Sequence, residues 1–215
     1  MKTKLALLAL ACGVTFAANA QSTADETLKP VAGNKTLEAS LGWGGYSSTT
    51  LRLRKFSSDN VAFRYSVDAS IDNDRLNDDG KATRFSVGFA PGVEKHFAGT
   101  SRLSPYIGFS TPISYSYKHL KGNGIEVINS LSTNPNSYDR GYLSFGVNGI
   151  AGVDFYIVKN FYVGIEAGVG ADYRRIKEVK VKSNDNAAQN YTLEGYDNFN
   201  FSTFSTGGLR VGFAF

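Results

Sequence analysis

The stretch Val-Ala-Phe-Arg-Tyr-Ser-Val-Asp-Ala-Ser-Ile, residues 61–71, decides the fold. Its odd-numbered positions are all apolar, whereas its even-numbered positions are small, polar or charged. Side chains of a β-strand point alternately to opposite faces, while an amphipathic helix repeats every 3.6 residues. The period of two therefore predicts a strand whose two faces meet different environments.

The same alternation recurs on both sides of this stretch and predicts eight strands in all. The odd-numbered residues form the apolar face in each of them. Successive connections lie at opposite ends of the barrel, and long loops at one end with short turns at the other are typical of outer-membrane barrels. The connection at residues 92–102 is the exception, because it lies at the end with short turns but is longer than the pattern expects. The other seven strands are predicted near residues 37–43, 49–56, 82–91, 103–117, 143–155, 161–174 and 199–215. One side carries the connections at residues 44–48, 72–81, 118–141 and 176–197, of which the last three are long, and the other side carries the short connections at 57–60 and 156–160.

A soluble β-sandwich or a lipocalin-like barrel would turn the apolar faces inward, and two features argue against it. Charged side chains, such as Arg64 and Glu166, stand in mid-strand on the minority face, which is otherwise rich in glycine and serine. Aromatic residues of the apolar face gather at its two ends, as in the interfacial girdles of membrane barrels. We therefore predict an all-β fold, an eight-stranded antiparallel up-and-down transmembrane β-barrel. The aromatic residues are Trp43, Tyr115, Tyr117, Tyr173 and Phe199 at one end, and Phe89, Phe155, Phe161, Phe213 and Phe215 at the other.

The N-terminus has the pattern of a secretory signal peptide. Lys2 and Lys4 precede an apolar run at residues 5–18, which closes on Ala18-Asn19-Ala20. A run of this length is too short for a membrane-spanning helix, which needs about 20 residues. We predict a signal peptide at residues 1–20, a periplasmic extension at 21–34 and the barrel domain at 35–215. Lipidation of Cys12 is the alternative, but the residues before it resemble a lipoprotein box poorly.

The last strand ends Leu-Arg-Val-Gly-Phe-Ala-Phe at residues 209–215, with a terminal aromatic residue. This ending resembles the C-terminal signal of bacterial outer-membrane barrels, which the barrel-assembly machinery reads. Strand number and loop alternation also resemble the small OmpX- and OmpA-type outer-membrane β-barrel superfamily. The resemblance implies location in the bacterial outer membrane with both termini in the periplasm. It also implies an assembly signal formed by Phe215, Phe213 and Val211.

Composition and motifs give little support for catalysis or for nucleic-acid binding. The net charge of +4 falls to +2 once Lys2 and Lys4 leave with the signal peptide, so no basic surface for nucleic acid is indicated. The two histidines, His96 and His119, are predicted in connections as solvated residues. The acidic loop at residues 72–80 fails the spacing of a calcium loop because Leu76 takes a ligand position. We predict no catalytic residues, no metal and no cofactor.

The charges on the even-numbered face should lie inside the barrel. An eight-stranded wall leaves room only for its own side chains, so opposite charges there must neutralise one another. We expect Glu38 to be the central acceptor of an arginine cluster, Arg52 to lie beside Arg64, and Asp68 to pair with Arg84. The predicted lumen network comprises Glu38, Arg52, Arg54, Arg64, Asp68, Arg84, Asp154, Glu166, Asp172, Arg174 and Arg210.

A filled lumen favours a non-catalytic barrel with a structural or surface-interaction role, in adhesion or envelope integrity. The alternatives are a narrow small-solute channel and, with less support, an enzyme that modifies lipid A. We expect a monomer whose partners are outer-membrane lipid, lipopolysaccharide and the barrel-assembly machinery. The long loops could bind an extracellular partner, but their polar sequence does not indicate which one.

Overall fold

A computed structural model describes residues 28–42, 50–76, 80–122, 124–134, 139–183, 190–205 and 208–215. The predicted signal peptide, residues 21–27 of the predicted extension and the loop predicted at 44–48 lie outside these described residues. No helix within them is long and apolar enough to cross a membrane. The regular elements of the described chain are thirteen strands. They are β1 (Lys35–Gly42), β2 (Thr50–Ser58), β3 (Val61–Arg75), β4 (Lys81–His96), β5 (Leu103–Ser110), β6 (Ile113–Gly122), β7 (Ile125–Ile128), β8 (Tyr142–Val158), β9 (Phe161–Ile176), β10 (Val179–Ser183), β11 (Tyr191–Leu193), β12 (Tyr196–Ser205) and β13 (Gly208–Ala214).

The strand pairings close into a ring, and every pairing is antiparallel. The order is β1, β2, β3, β4, then β5 with β6, then β8, β9, and finally β12 with β13. β13 pairs back with β1, with Leu37 opposite Phe213 and Ala39 opposite Val211. Closure through β13 and β1 joins the two ends of the wall at one end of the barrel, whereas β12 pairs with β9 alone among the described strands. The eight predicted wall segments and the all-β antiparallel fold are confirmed.

Thirteen strands replace eight for two reasons. Two of the predicted strands are each divided, the fifth into β5 and β6 at Thr111 and Pro112, and the last into β12 and β13. The prediction that residues 118–141 and 176–197 are only loops is wrong, because β7, β10 and β11 lie in them. These three strands extend the sheet beyond β6 and enclose a small apolar cluster of Val127, Val179 and Val181.

The predicted connection at residues 92–102 is also wrong, because β4 continues to His96 and only residues 97–102 form the turn. Pro91 and Gly92 resemble a turn in the sequence. Pro91 is tolerated in the strand because its carbonyl oxygen, which accepts from Thr111 N at 2.9 Å, faces the break between β5 and β6. The missing N–H of Pro91 points to the same side, where no regular ladder requires it.

Burial in this barrel is inverted relative to a water-soluble protein. Ile71, Phe199 and Phe201 are about two-thirds exposed or more (68%, 72% and 68%), whereas Arg54 and Arg210 are fully buried. Among the described residues, the large apolar side chains exposed along the eight wall segments are odd-numbered except Tyr196, the first residue of β12, so the predicted parity holds around the ring. An apolar surface that runs around the whole wall is typical of a membrane barrel, in which lipid is the outer environment that the sequence pattern requires.

The described part of the N-terminal extension packs across the end of the barrel that carries the short turns, here called the turn end. Gly33 N donates to Phe56 O at 2.9 Å, and Ala32 N donates to Asp59 Oδ1 at 2.9 Å. Gly33 has a φ of +90°, a backbone conformation that favours glycine. A cavity of about 420 Å³ lies between this segment and the barrel mouth, lined in part by Lys29 and His96. The opposite end, which carries the strands β7, β10 and β11, is called the loop end.

Parity can be tested with spin labels on one strand. In lipid bilayers, a label on Val67→Cys should be relaxed more by oxygen than by a water-soluble nickel chelate, because Val67 is on the exposed apolar face of β3. A label on Ser70→Cys should show the reverse, because Ser70 bonds Ser86 on the inner face. Equal relaxation profiles at the two sites would contradict the membrane orientation of the wall.

Candidate functional site

The candidate site is a buried group of eight charged side chains inside the turn end of the barrel. We call it the lumen charge cluster. Its four arginines and four carboxylates each have a side chain that is at most 6% exposed. The formal charges cancel, as they must where water is excluded. The members are Glu38, Arg52, Arg54, Arg64, Glu94, Asp154, Glu166 and Arg210.

The cluster forms here because even-numbered residues of several strands meet at one level. Glu38 on β1 is directly opposite Arg52 on β2 and Gly212 on β13. Gly164 on β9 is directly opposite both Asp154 on β8 and Arg210 on β13. Residues directly opposite each other in a ladder point to the same face. The register of the strands alone therefore brings these side chains together in the lumen.

Glu38 accepts from three arginines. Its Oε1 lies 2.6 Å from Arg52 Nη1, and its Oε2 lies 2.6 Å from Arg54 Nη2 and 3.1 Å from Arg210 Nη1. Tyr162 OH donates to the same Oε2 at 3.0 Å. The structure thus gives Glu38 the position of a central acceptor.

Glu166 is the second shared acceptor. Arg64 donates to both of its oxygens, at 2.9 and 3.1 Å, and Arg52 Nη1 lies 3.1 Å from Oε2. Tyr106 OH also donates to Oε2, at 2.7 Å. Arg52 therefore bridges Glu38 and Glu166, which links the β1 and β9 sides of the lumen.

Arg54 and Arg64 are directly opposite each other on β2 and β3, an arrangement that is unfavourable for like charges. Glu94 relieves this repulsion because its Oε1 lies 2.9 Å from Arg64 Nη1 and its Oε2 lies 3.3 Å from Arg54 Nη1. Asp154 binds Arg54 at 2.7 Å and Arg210 at 3.1 Å. The expected register that sets Arg52 beside Arg64 is wrong, since Arg52 is opposite Ser66. The two arginines meet instead at Glu166 Oε2.

Tyrosine rings and glycines complete the packing. The Arg54 guanidinium lies over the rings of Tyr106 and Tyr162, at 5.4 and 5.3 Å from their centroids. A methyl group built on Gly152 would overlap the Tyr106 ring, and one built on Gly212 would overlap the Tyr162 ring. The wall must lack side chains at these two points so that the rings can cover the arginines.

Four of the residues predicted for the lumen network lie nearer the loop end and outside the cluster. The predicted Asp68–Arg84 pair is wrong: Asp68 is opposite Gly88, and Arg84 bonds Asp74. The prediction centred the hairpin on Leu76, whereas Arg75 opposite Lys81 centres it two residues later. Arg174 Nε donates to Asp172 Oδ2 at 2.7 Å as a separate pair that is partly exposed.

Glu94 is the cluster member, and Tyr162 the neighbour, that sequence reasoning missed, whereas Tyr106 belongs to the predicted inner face of the fifth strand. The sequence predicts a connection around Glu94 because Pro91 followed by Gly92 is typical of the end of a strand. Continuing the odd-even alternation past Pro91 would have placed Glu94 on the inner face. Tyr106 and Tyr162 are at even positions, so parity alone indicated that they face inward.

His96 is buried, so its prediction as a solvated loop residue is wrong. Its Nδ1 lies 2.9 Å from Ser104 Oγ, its Nε2 lies 3.3 Å from Glu94 Oε2, and its ring packs between Phe56 and Tyr106. Serine, histidine and carboxylate occur together in hydrolases. Here they are even-numbered and face the lumen, and the carboxylate is shared with two arginines. The arrangement fits the closing layer of the cluster better than a site that acts on membrane lipid.

The three residues predicted as an assembly signal lie at the seam of the barrel. Val211 and Phe213 pair with β1 on one side and with β9 on the other. Phe215 N donates to Lys35 O at 2.8 Å, and Lys35 N donates to Phe215 O at 2.9 Å. The last residues thus close the ring, while recognition of Phe215, Phe213 and Val211 by assembly machinery stays a prediction.

Comparisons with known proteins give a family match and a similar solved structure. The model of the OmpA-OmpF-like porin family matches residues 71–215. Among solved structures, the chain is similar to the N-terminal β-barrel domain of OprF from Pseudomonas aeruginosa. The identity is 18% and the TM-score 0.43, with 86% of this chain and 100% of that chain covered. No curated protein sequence matches the chain.

Removal of the central acceptor should destabilise the barrel. Glu38→Ala leaves three buried arginines short of a partner, a type of change worth about 3 to 5 kcal/mol. The temperature at which the folded barrel loses its fast migration on unboiled gels should fall. Asp74→Ala, which removes a solvent-exposed ion pair worth about 0 to 1 kcal/mol, is the matched control. Equal transition temperatures for the two variants would contradict a stabilising role for Glu38.

Two glycines on β8 provide a second test of the packing. Gly152→Ala should destabilise the barrel by about 1 to 3 kcal/mol because its methyl group overlaps the Tyr106 ring. Gly149→Ala should have little effect, since that methyl group would meet only Val169 Cγ2 at 3.8 Å. Urea unfolding in lipid vesicles measures both. A Gly152→Ala barrel as stable as the Gly149→Ala barrel would show that the ring does not need the glycine.

Proposed function

Because the chain belongs to the OmpA-OmpF-like porin family, we propose that this outer-membrane β-barrel is a non-catalytic envelope protein whose lumen is closed by the lumen charge cluster. Its role is to stabilise the outer membrane and to display structured loops for surface contact. The observation that carries the proposal is the cluster itself, in which every charged side chain has an oppositely charged partner within 3.3 Å.

Closure is supported by the way the contacts cross the lumen. Arg54 on β2 binds Asp154 on β8, and Arg52 on β2 binds Glu166 on β9. Arg64 on β3 also binds Glu166, so the contacts connect strands that are not neighbours in the ring. A solute would have to break several buried ion pairs at once, and loss of one partner from such a pair costs about 3 to 5 kcal/mol.

A narrow channel is the second candidate, and two observations favour it. The family that the chain belongs to is named for porins. The inner face between the cluster and the loop end carries small polar side chains, including the hydrogen-bonded pairs Ser70–Ser86 at 2.8 Å and Ser114–Ser144 at 2.6 Å. Such a lining suits a polar vestibule. It becomes a pathway only if the cluster opens, so the channel is the weaker proposal.

Other features of the proposed function follow from the sequence and the family. The chain is exported by cleavage of residues 1–20 and is inserted by the barrel-assembly machinery as a monomer. Both termini lie in the periplasm, so the turn end faces the periplasm and the loop end faces the exterior. The strands β7, β10 and β11 give the loop end a defined surface for an extracellular partner, with β11 as the edge of the extension.

Conductance in planar bilayers tests the closed lumen. The wild-type barrel should show no steady conductance. The double substitution Arg54→Ser with Asp154→Ser preserves the charge balance and removes contacts across the lumen, so it should produce discrete conductance steps. The control, Asp172→Ser with Arg174→Ser, removes a neutral pair outside the cluster and should stay silent.

Gel mobility of unboiled samples shows that both variants are folded. Steady conductance of the wild-type barrel would overturn the closed-lumen proposal and support the channel. Silence of the Arg54 and Asp154 variant despite a folded barrel would show that the remaining side chains suffice to close the lumen without these two.

A further inference from the structure

The outer face of the loop end changes from apolar to cationic over three successive rows of side chains. Register places Ile71, Phe85 and Tyr117 side by side on β3, β4 and β6. The next row towards the loop end is polar and contains Asn73, Thr83 and His119. All six side chains have the odd parity of the outer face.

The third row is charged, and we call it the cationic row. Arg75 is opposite Lys81, and Lys81 is opposite Lys121. Lys121 is opposite Glu126 on β7, and Glu126 is opposite Lys182 on β10. Directly opposite residues share a face, so the row crosses five strands with four cations and one anion.

The cations of this row are available to a ligand. Arg75, Lys81, Lys121 and Lys182 are all exposed. Lys182 Nζ lies 3.8 Å from Glu126 Oε2, and Glu126 Oε1 also contacts His119 Nε2 at 3.0 Å. Arg75, Lys81 and Lys121 form no ion pair with any residue that the structure describes. The row therefore presents an excess of positive charge on one surface.

The height of the row above the apolar band fits lipid head groups. A strand advances about 3.4 Å per residue and tilts by about 40°, so each two-residue step raises a row by about 5 Å along the membrane normal. The cationic row then lies about 10 Å beyond Ile71, Phe85 and Tyr117. Head groups occupy about 5 to 7 Å outside the hydrocarbon core, and long cationic side chains reach back towards them.

We propose that the cationic row binds the phosphate groups of a phosphorylated glycolipid in the outer leaflet. Arg75, Lys81 and Lys121 contact the phosphates, while the apolar row below them contacts the acyl chains. Arginine and lysine are the side chains that recognise phosphate, arginine through a bidentate fork. The proposal rests on the loop end facing the exterior and is independent of the lumen charge cluster, which lies at the opposite end of the barrel.

The turn end supplies a matched control, because it also carries exposed lysines with outer-face parity. Lys35 is opposite Lys55, but the other neighbour of Lys55 in the ladder is Phe63. Lys95 lies between Val61 and Ile107. These three lysines equal the three cations of the row in charge but form no continuous row.

Native mass spectrometry of the folded barrel in detergent micelles tests the proposal with lipid A that carries both phosphates. The probe for specificity is the same lipid after removal of the phosphates. The triple variant Arg75→Gln, Lys81→Gln, Lys121→Gln should bind the phosphorylated lipid about 100-fold more weakly, at roughly 5-fold per charge. The control Lys35→Gln, Lys55→Gln, Lys95→Gln should bind as the wild type does. Gel mobility establishes that each variant is folded.

Three outcomes would overturn the assignment. They are equal loss of binding in the two triple variants, equal affinity of the wild type for lipid with and without phosphates, and displacement of the lipid by inorganic phosphate alone. The last result would mean that the row is a site for the free ion. Because the measurement is made in detergent and leaves the cluster untouched, its failure would not bear on closure of the lumen, which conductance tests separately.

Discussion

The rest of the structure depends on neutralising four arginines that are buried in the lumen. Arg54 contacts Glu38, Glu94 and Asp154, and no single carboxylate could replace these three because they come from three different strands. Each carboxylate is in turn shared by at least two arginines. A network of this kind fixes the register of the wall, since a slip of one residue would move a charge from the lumen to lipid.

The same constraint explains where the wall is thin. The arginines lie over tyrosine rings that reach deep into the lumen. Each ring packs against the backbone of the wall, and this requires a residue without a side chain at the point of contact. Gly152 stands behind Tyr106, and Gly212 stands behind Tyr162. Large and small side chains therefore alternate across the lumen, as packing at the density of a protein interior demands.

The two ends of the barrel differ in chemistry as a result. The turn end is filled by ion pairs and covered by residues 28–34, which bond to the β2–β3 turn. The loop end has a lumen lined by serine and glycine and a sheet that continues outward around Val127, Val179 and Val181. A base filled by ion pairs and a structured outer extension suit the proposed role in surface contact, to which the outward row of cations adds a lipid-facing part.

The sequence by itself determined the strand period, the face of each strand and the existence of an interior charge network, because these depend on parity, a local property. Glu38 was expected as an acceptor of arginines because the short connection at residues 44–48 sets it opposite Arg52 or Arg54, and the structure pairs it with Arg52. Only the tertiary structure decided which charges meet. The pairing of Asp68 with Arg84 failed because register depends on where a hairpin turns, and two residues of error shift every partner along the strand.

Glu94 and His96 show the other side of this division. A proline next to a glycine indicates a turn in a sequence. Pro91 nevertheless lies in a strand, because the neighbouring strand is interrupted at Thr111 and Pro112, between β5 and β6. That compensation comes from a segment about twenty residues away, which no local pattern records. The strands β7, β10 and β11 were likewise hidden, since they are stabilised by pairing between two distant loops. Local alternation therefore determines which residues of each strand face lipid and which face the lumen. Only the pairing between distant strands determines which of the inward side chains contact one another.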